Sequence, residues 1–262
     1  MSMLKKAENK AAFLKCGIYG RAGVGKTFTA SLLAINLVKH FNLPKVVAFF
    51  DTEPAASYVL PLFQEAGIDL LVYDESRSLK SLMAFVRECE QENVQVIMID
   101  STSHVWRDAQ KSYLDKVNEK RKKQNKDPLI GLEFQHWGPI KEKWREFSDQ
   151  FLFSKRHMII CGRAGEVYQY QKNEQTGKME LISTGQRMAT EKELGHEPSL
   201  LIEMANDREE VRGVPRIVNY AWIEKDRFNR INGLRIKMPS GETKLDKLLD
   251  GVWKAFEPPS PT

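Results

Sequence analysis

The sequence predicts an α/β fold, with a mainly parallel central sheet flanked by helices and antiparallel strands toward the C-terminus. Two observations carry this. Short apolar runs alternate with amphipathic helical stretches through residues 14–161, the pattern of parallel strands joined by helical crossovers. Beyond Gly162 the apolar period falls to two, as in antiparallel strands that keep one face wet.

Taken in order, Leu14–Tyr19 reads as the first strand and Thr27–Phe41 as the first helix, with Leu32, Ile35 and Val38 on its buried side. Lys45–Phe50 (KVVAFF) is nearly continuous in apolar residues, which suits a strand covered on both faces. A helix from about Ala55 is entered through Pro54 and bent near Pro61, since proline fits a first turn but interrupts the ladder further in. Leu70–Tyr73 reads as a short strand, Leu79–Gln91 as an amphipathic helix, Val94–Ile99 (VQVIMI) as a buried strand and His157–Cys161 (HMIIC) as the fifth strand. Between the last two strands lie polar helices over Trp106–Lys123 and Trp137–Phe153, broken by KRKKQNKDPLIG. Trp106, Trp137 and Trp144 are spaced to pack these helices together.

In the period-two region, Val167–Gln171 and Met179–Ile182, joined by KNEQTGK, read as a hairpin or a flexible loop. Leu200–Met204, Ile217–Ile223 and Leu234–Lys237 read as later strands. A short helix near Leu245–Phe256 precedes a disordered tail, PPSPT. No repeat or linker stands out, so residues 1–256 count as one domain with a helical insertion at about 104–154.

The 262 residues are 42% hydrophobic and 29% charged, which excludes disorder over most of the chain. No apolar run reaches the roughly 18 residues of a spanning helix, and no membrane partner is expected. The segment MSMLKKAENKAAFLK lacks the apolar stretch of a secretion signal, and Cys16, Cys89 and Cys161 are scattered without metal-ligand spacing. A reduced, cytoplasmic protein is expected. The net charge of +5 permits an acidic partner without demanding one.

The chemistry starts at Gly20–Thr27, GRAGVGKT, a full G-x-x-x-x-G-K-[ST] between a predicted strand and a predicted helix. In such a P-loop, Gly20, Gly23 and Gly25 let the backbone curl, so that the N–H groups of Arg21, Ala22, Val24 and their neighbours through Phe28 converge on phosphate oxygens. The helix that follows adds its positive end. Lys26 is expected to contact the β- and γ-phosphates of ATP, and Thr27 to hold Mg²⁺. Val96–Ser101 (VIMIDS) ends an apolar strand in Asp100, placed to serve the same Mg²⁺. The residue after Asp100 is Ser101 rather than a glutamate, so a general base must come from elsewhere. FFDTEP at Phe49–Pro54 offers Glu53, with Asp51 as the alternative; either could instead cap the next helix. His104 and His136, near strand ends, could approach the site but are read as structural, and no guanine-reading N-K-x-D pattern is present.

The series GRAGVGKT, VVAFFDTE and VIMIDSTSHVW resembles the RecA-type recombinase ATPase core over Leu14 to about Ser103, and more loosely beyond. The resemblance implies a RecA-like P-loop NTPase fold, with Glu53 activating water and Asp100 assisting Mg²⁺. EKDRFNR at Glu224–Arg230 is similar to the basic pair that RecA-type subunits extend into a neighbour's site, which would make Lys225 and Arg227 act in trans. Arg163 stands where the family carries an amide that senses the γ-phosphate, so a sensing role would fall to this arginine. The chain has little before the P-loop or after Lys237 to match RecA's terminal regions. Such a stripped core, with HWGPIKEKW and EKDRF, resembles phage-encoded RecA-like ATPases that include single-strand annealing proteins.

That resemblance implies single-stranded DNA as partner, self-association into a ring or filament, and a role beside a single-strand-binding protein. In RecA-type cores the loop after the fifth strand contacts DNA. Here Tyr168 and Tyr170 alternate with polar residues, with Lys172, Lys178 and Arg187 nearby, so the rings either stack on bases or face a core. Lys116, Lys120, Arg121, Lys122, Lys123 and Lys126 form a basic cluster that suits either phosphate or a solvated helix end. Two other functions remain open from sequence: a P-loop kinase for a nucleotide or other small substrate, and a nucleotide-gated regulator or loader binding another protein through the helical section.

Overall fold

A computed structural model of the protein describes residues 13–174, 177–211, 213–227 and 229–238. The helix expected near Leu245–Phe256 and the tail lie outside the described residues. The described strands are β1 (Lys15–Gly20), β2 (Val46–Asp51), β3 (Asp69–Tyr73), β4 (Val96–Asp100), β5 (His157–Lys172), β6 (Met179–Met188), β7 (Leu200–Val211), β8 (Val214–Asp226) and β9 (Arg235–Lys237). The helices are α1 (Lys26–His40), α2 (Ala56–Ala66), α3 (Leu79–Gln91), α4 (Thr102–Lys123) and α5 (Trp137–Phe153).

The sheet runs β3-β2-β4-β5-β1-β7-β8-β9, with β6 paired to β5. From β3 to β7 the pairing is parallel; β8 and β9 add antiparallel. The period-two alternation of side chains splits the core into two layers. Val47, Phe49, Val96, Met98, Ile159 and Cys161 face the layer that holds Leu33, Leu37, Val59 and Phe63 of α1 and α2. Their neighbours Ala48, Phe50, Ile97, Ile99, Met158 and Ile160 face Leu82, Phe85, Trp144, Phe147 and Phe151 of α3 and α5. Helices therefore cover both faces, which is why the central strands read as unbroken apolar runs.

Several boundaries differ from expectation. α4 begins at Thr102, a turn before Trp106, directly after a cis Asp100–Ser101 peptide. The segments expected as separate strands at His157 and Val167 are one strand: β5 leaves β1 and β4 near Gly162 and continues outward, paired with β6 from Ala164 to Lys172. A second antiparallel ribbon, β7–β8, likewise runs on beyond Met204, the last β7 residue opposite β1. The three tryptophans pack as expected, with Trp106 set edge-on to Trp144 at 5.1 Å between ring centroids. All three cysteines are buried thiols. No described helix is long and apolar enough to cross a membrane.

Candidate functional site

The tips of β1, β2 and β4 meet the middle of β5 at one edge of the sheet. The register sets Gly20 of β1 level with Arg163 of β5, and Asp51 of β2 level with Asp100 of β4. Carboxyl ends of parallel strands are where open α/β sheets place their ligands.

The loop from Gly20 to Thr27 is built for an anion. A Cβ at Gly20 would lie 2.2 Å from the backbone oxygen of Met204, so only glycine lets β1 turn here against β7. Gly25, the N-cap of α1, takes the left-handed conformation at φ 87°, which favours a residue without Cβ. The first turn of α1 has neither a side-chain cap nor an acidic residue, so its N–H groups remain available to a ligand. Arg21, Ala22 and Gly23 are exposed, Val24 is buried beneath the loop, and Phe28 is exposed on α1. Lys26 Nζ donates to the Arg21 carbonyl at 2.9 Å, which folds the amine over the loop.

Thr27 Oγ1 donates to Asp100 Oδ2 at 2.5 Å. Burial raises the Asp100 carboxyl to about 6, while the Thr27 hydroxyl pulls the other way. Among the described residues no cluster of three or more His, Cys, Asp or Glu side chains could hold a metal by itself. A hydroxyl and one carboxylate beside a phosphate cradle are instead the hard, sparse donor set that suits Mg²⁺, whose remaining positions go to phosphate and water.

The structure separates the two carboxylates of FFDTEP. Asp51 is buried, with Oδ1 accepting from the Glu53 N–H at 2.9 Å and Oδ2 from the Ala56 N–H at 2.8 Å, so it fastens the turn into α2. Glu53 reaches outward, where its Oε1 accepts from Arg163 (Nη2 at 3.1 Å, Nε at 3.3 Å) and lies 3.3 Å from His104 Nε2. Arg163, expected as a phosphate sensor, is thus ion-paired with the expected base.

His104, read from sequence as structural with approach to the site as the alternative, does lie beside Glu53. It sits on the first turn of α4, with Nδ1 2.9 Å from Thr52 Oγ1, and burial lowers its pKa. Its spacing four residues after Asp100, one turn into the helix, is the signal for that approach. Unforeseen is Glu166 on β5, whose carboxylate accepts from Ser183 and Gln186 of β6 and pairs with P-loop Arg21 at 3.4 Å.

Tyr168 and Tyr170 are 56% and 71% exposed on the β5–β6 arm, so they do not face a core. Lys172, Lys178 and Arg187 are exposed along the same arm. Lys225 and Arg227 are not brought to the P-loop of their own chain. Lys225 is level with Leu201, at the start of β7 and the opposite edge of the sheet. There its Nζ donates to the His196 carbonyl at 2.5 Å, and the Arg227 N–H to the Ser199 carbonyl at 2.9 Å. A groove of about 720 Å³ between α3, α4 and α5, lined by Leu79, Met83, Tyr113, Val117 and Ile140, shares no residue with the strand tips.

The family model of an AAA domain matches residues 12–230. The chain belongs to the AAA domain family. This AAA domain also shares its fold with a KaiC-like protein (PH0186) from the hyperthermophilic archaeon Pyrococcus horikoshii OT3, at a TM-score of 0.51 and 16% identity over 86% of this chain and 85% of that one. No curated protein sequence matches the chain. The AAA domain therefore has the RecA-like P-loop NTPase fold that its first hundred residues led one to expect.

Proposed function

We propose that this AAA domain is a Mg²⁺-dependent ATPase that acts on single-stranded DNA in recombination, annealing or repair. The observation that carries the hydrolytic part is the meeting of P-loop, Asp100 and Glu53 at one sheet edge, with Asp51 already committed to backbone. The loop N–H groups and Lys26 would bind the β- and γ-phosphates. Thr27 and Asp100 would hold Mg²⁺, which neutralises charge on the phosphate oxygens when bound. Glu53 would accept a proton from the attacking water as its oxygen bonds to the terminal phosphorus and the bond to the ADP oxygen breaks. Lys225 and Arg227, remote from their own P-loop, would serve a neighbouring subunit in a ring or filament.

Support for DNA comes from the β5–β6 arm. Its exposed tyrosines stand beside cations, the combination that binds single strands by stacking and phosphate neutralisation. At its root, Arg163 touches Glu53 and Glu166 touches Arg21. A single-strand-binding protein would be a working partner on the same strand.

The test measures nucleotide binding and phosphate release separately, with and without single-stranded DNA, over a range of protein concentrations. Lys26→Ala should lose ATP binding, while Glu53→Gln should bind ATP and lose turnover by a factor of about 10²–10⁴, the usual worth of a general base. Turnover rising steeply with concentration supports a shared site. Full hydrolysis by Glu53→Gln would show that the base is elsewhere, and phosphate arriving on an acceptor other than water would mark a kinase.

A further inference from the structure

We propose that His104 is a positioning residue: it holds one oxygen of the Glu53 carboxylate through Nε2–H, with its own ring locked by Thr52, so that the other oxygen is presented to water. The inference rests on the assignment of Glu53 as general base and adds the device that aims it.

The hydrogen-bond network determines which ring nitrogen carries the proton. Thr52 Oγ1 lies 2.7 Å from the Ser101 N–H, 3.0 Å from the Asp100 carbonyl and 2.9 Å from His104 Nδ1. The Ser101 N–H can only donate, so it takes one lone pair of the hydroxyl. The Asp100 carbonyl already accepts the Thr52 N–H at 2.6 Å. The single hydroxyl proton has two acceptors within reach, the Asp100 carbonyl and His104 Nδ1, so the tautomer is decided on the other side of the ring, where the Glu53 carboxylate calls for a donor. With Nδ1 accepting, a neutral imidazole carries its proton on Nε2, which faces Glu53 Oε1 at 3.3 Å. The opposite tautomer would set a ring lone pair against a carboxylate. Burial, the leading cause of the lowered His104 pKa, favours this neutral ring.

The backbone beneath His104 is pinned. On the same turn of α4, Thr102 Oγ1 donates to the Cys161 carbonyl at 3.0 Å and Ser103 Oγ accepts the Arg163 N–H at 2.9 Å. Both contacts tie the turn to β5. The chain Ser101–Thr52–His104–Glu53 thus runs from the tip of β4 to the carboxylate through groups whose positions the sheet register sets. Both Arg163 and His104 converge on Oε1; Oε2 has no partner among the described residues. A carboxylate held by one oxygen is oriented, and its second oxygen keeps its lone pairs for a proton in transit.

The experiment compares His104→Ala, His104→Asn and His104→Gln in the full chain, reading kcat, KM for ATP and nucleotide affinity. An asparagine amide superposes on Nδ1 and retains the Thr52 contact alone, whereas a glutamine amide reaches the Nε2 position and can donate to Glu53. The expected result is a loss of about 10–100-fold in kcat for Ala and Asn, the usual effect of removing an orienting partner. His104→Gln should stay within about threefold of the parent, with KM and nucleotide affinity unchanged in all three. Adding His104→Ala to Glu53→Gln should cost nothing further, because the two act as one unit. Parental kcat in His104→Ala, equal losses in all three variants, or a loss expressed as weaker nucleotide binding would each overturn the proposal. Should the alanine variant fail to fold, the near-isosteric Asn and Gln pair decides it. Parental turnover in Glu53→Gln would instead overturn the base assignment itself, and is told apart because it needs no change at His104.

Discussion

At the tip of β2, Asp51 uses both carboxylate oxygens on backbone N–H groups, and Glu53, two residues on, uses neither of its own that way. The difference is testable as stability against turnover. Asp51→Ala would leave the Glu53 and Ala56 N–H groups without their acceptor at a largely buried turn. It should lower the stability of the fold by about 1–2 kcal/mol in urea denaturation, the range measured for lost helix-entry acceptors. Glu53→Gln, on a half-exposed side chain, should leave the same midpoint nearly unchanged. Sequence alone left this pair open because both residues suit either role; the decision comes from where β2 stops and α2 starts.

The β5–β6 arm is the element on which the proposed DNA contact rests. Its outer residues, Tyr168 opposite Ser183 and Tyr170 opposite Leu181, have no second layer to pack against. Replacing Tyr168 and Tyr170 by alanine should therefore shift stability by no more than about 0.5 kcal/mol, as for exposed positions. Each base stacked on a ring is worth about 1–3 kcal/mol, so anisotropy with a labelled oligonucleotide should show affinity falling by about fivefold or more per ring. Alanine at Lys172, Lys178 and Arg187 should flatten the dependence of that affinity on salt. An affinity indifferent to both sets of changes would place the DNA elsewhere, the basic end of α4 being the next surface to examine. The arm was legible in the sequence only as an alternation; that β5 forms it without a break depends on a neighbour, since β1 ends at Gly20 and β6 takes its place beside β5.

Across the whole molecule, acid should unfold the chain partly through one histidine. His157, buried at the start of β5, accepts the Leu14 N–H on Nδ1 at 3.0 Å. Burial first, and then the Lys15 charge, lowers its pKa to about 4. The unfolded chain would take up this proton near the ordinary value of about 6.5. The neutral ring's contribution is thus complete above that pH and is lost as pH falls through about 4, a change of about 3 kcal/mol. Urea midpoints at pH 7 and pH 4.5 should differ less in His157→Asn than in the parent; an identical pH dependence would rule the histidine out. What could be read along the chain, namely the phosphate loop, Asp100, the α/β alternation and the helix pair, follows from residues near one another in sequence, where backbone preference and apolar period act. The pairing of Glu53 with Arg163, the relay through Thr52 and His104, the tie from Arg21 to Glu166 and the exposure of the tyrosines join or separate residues tens to more than a hundred positions apart. They were settled when strand register and two-sided packing brought those side chains to one edge, a matter of distances that no local pattern records.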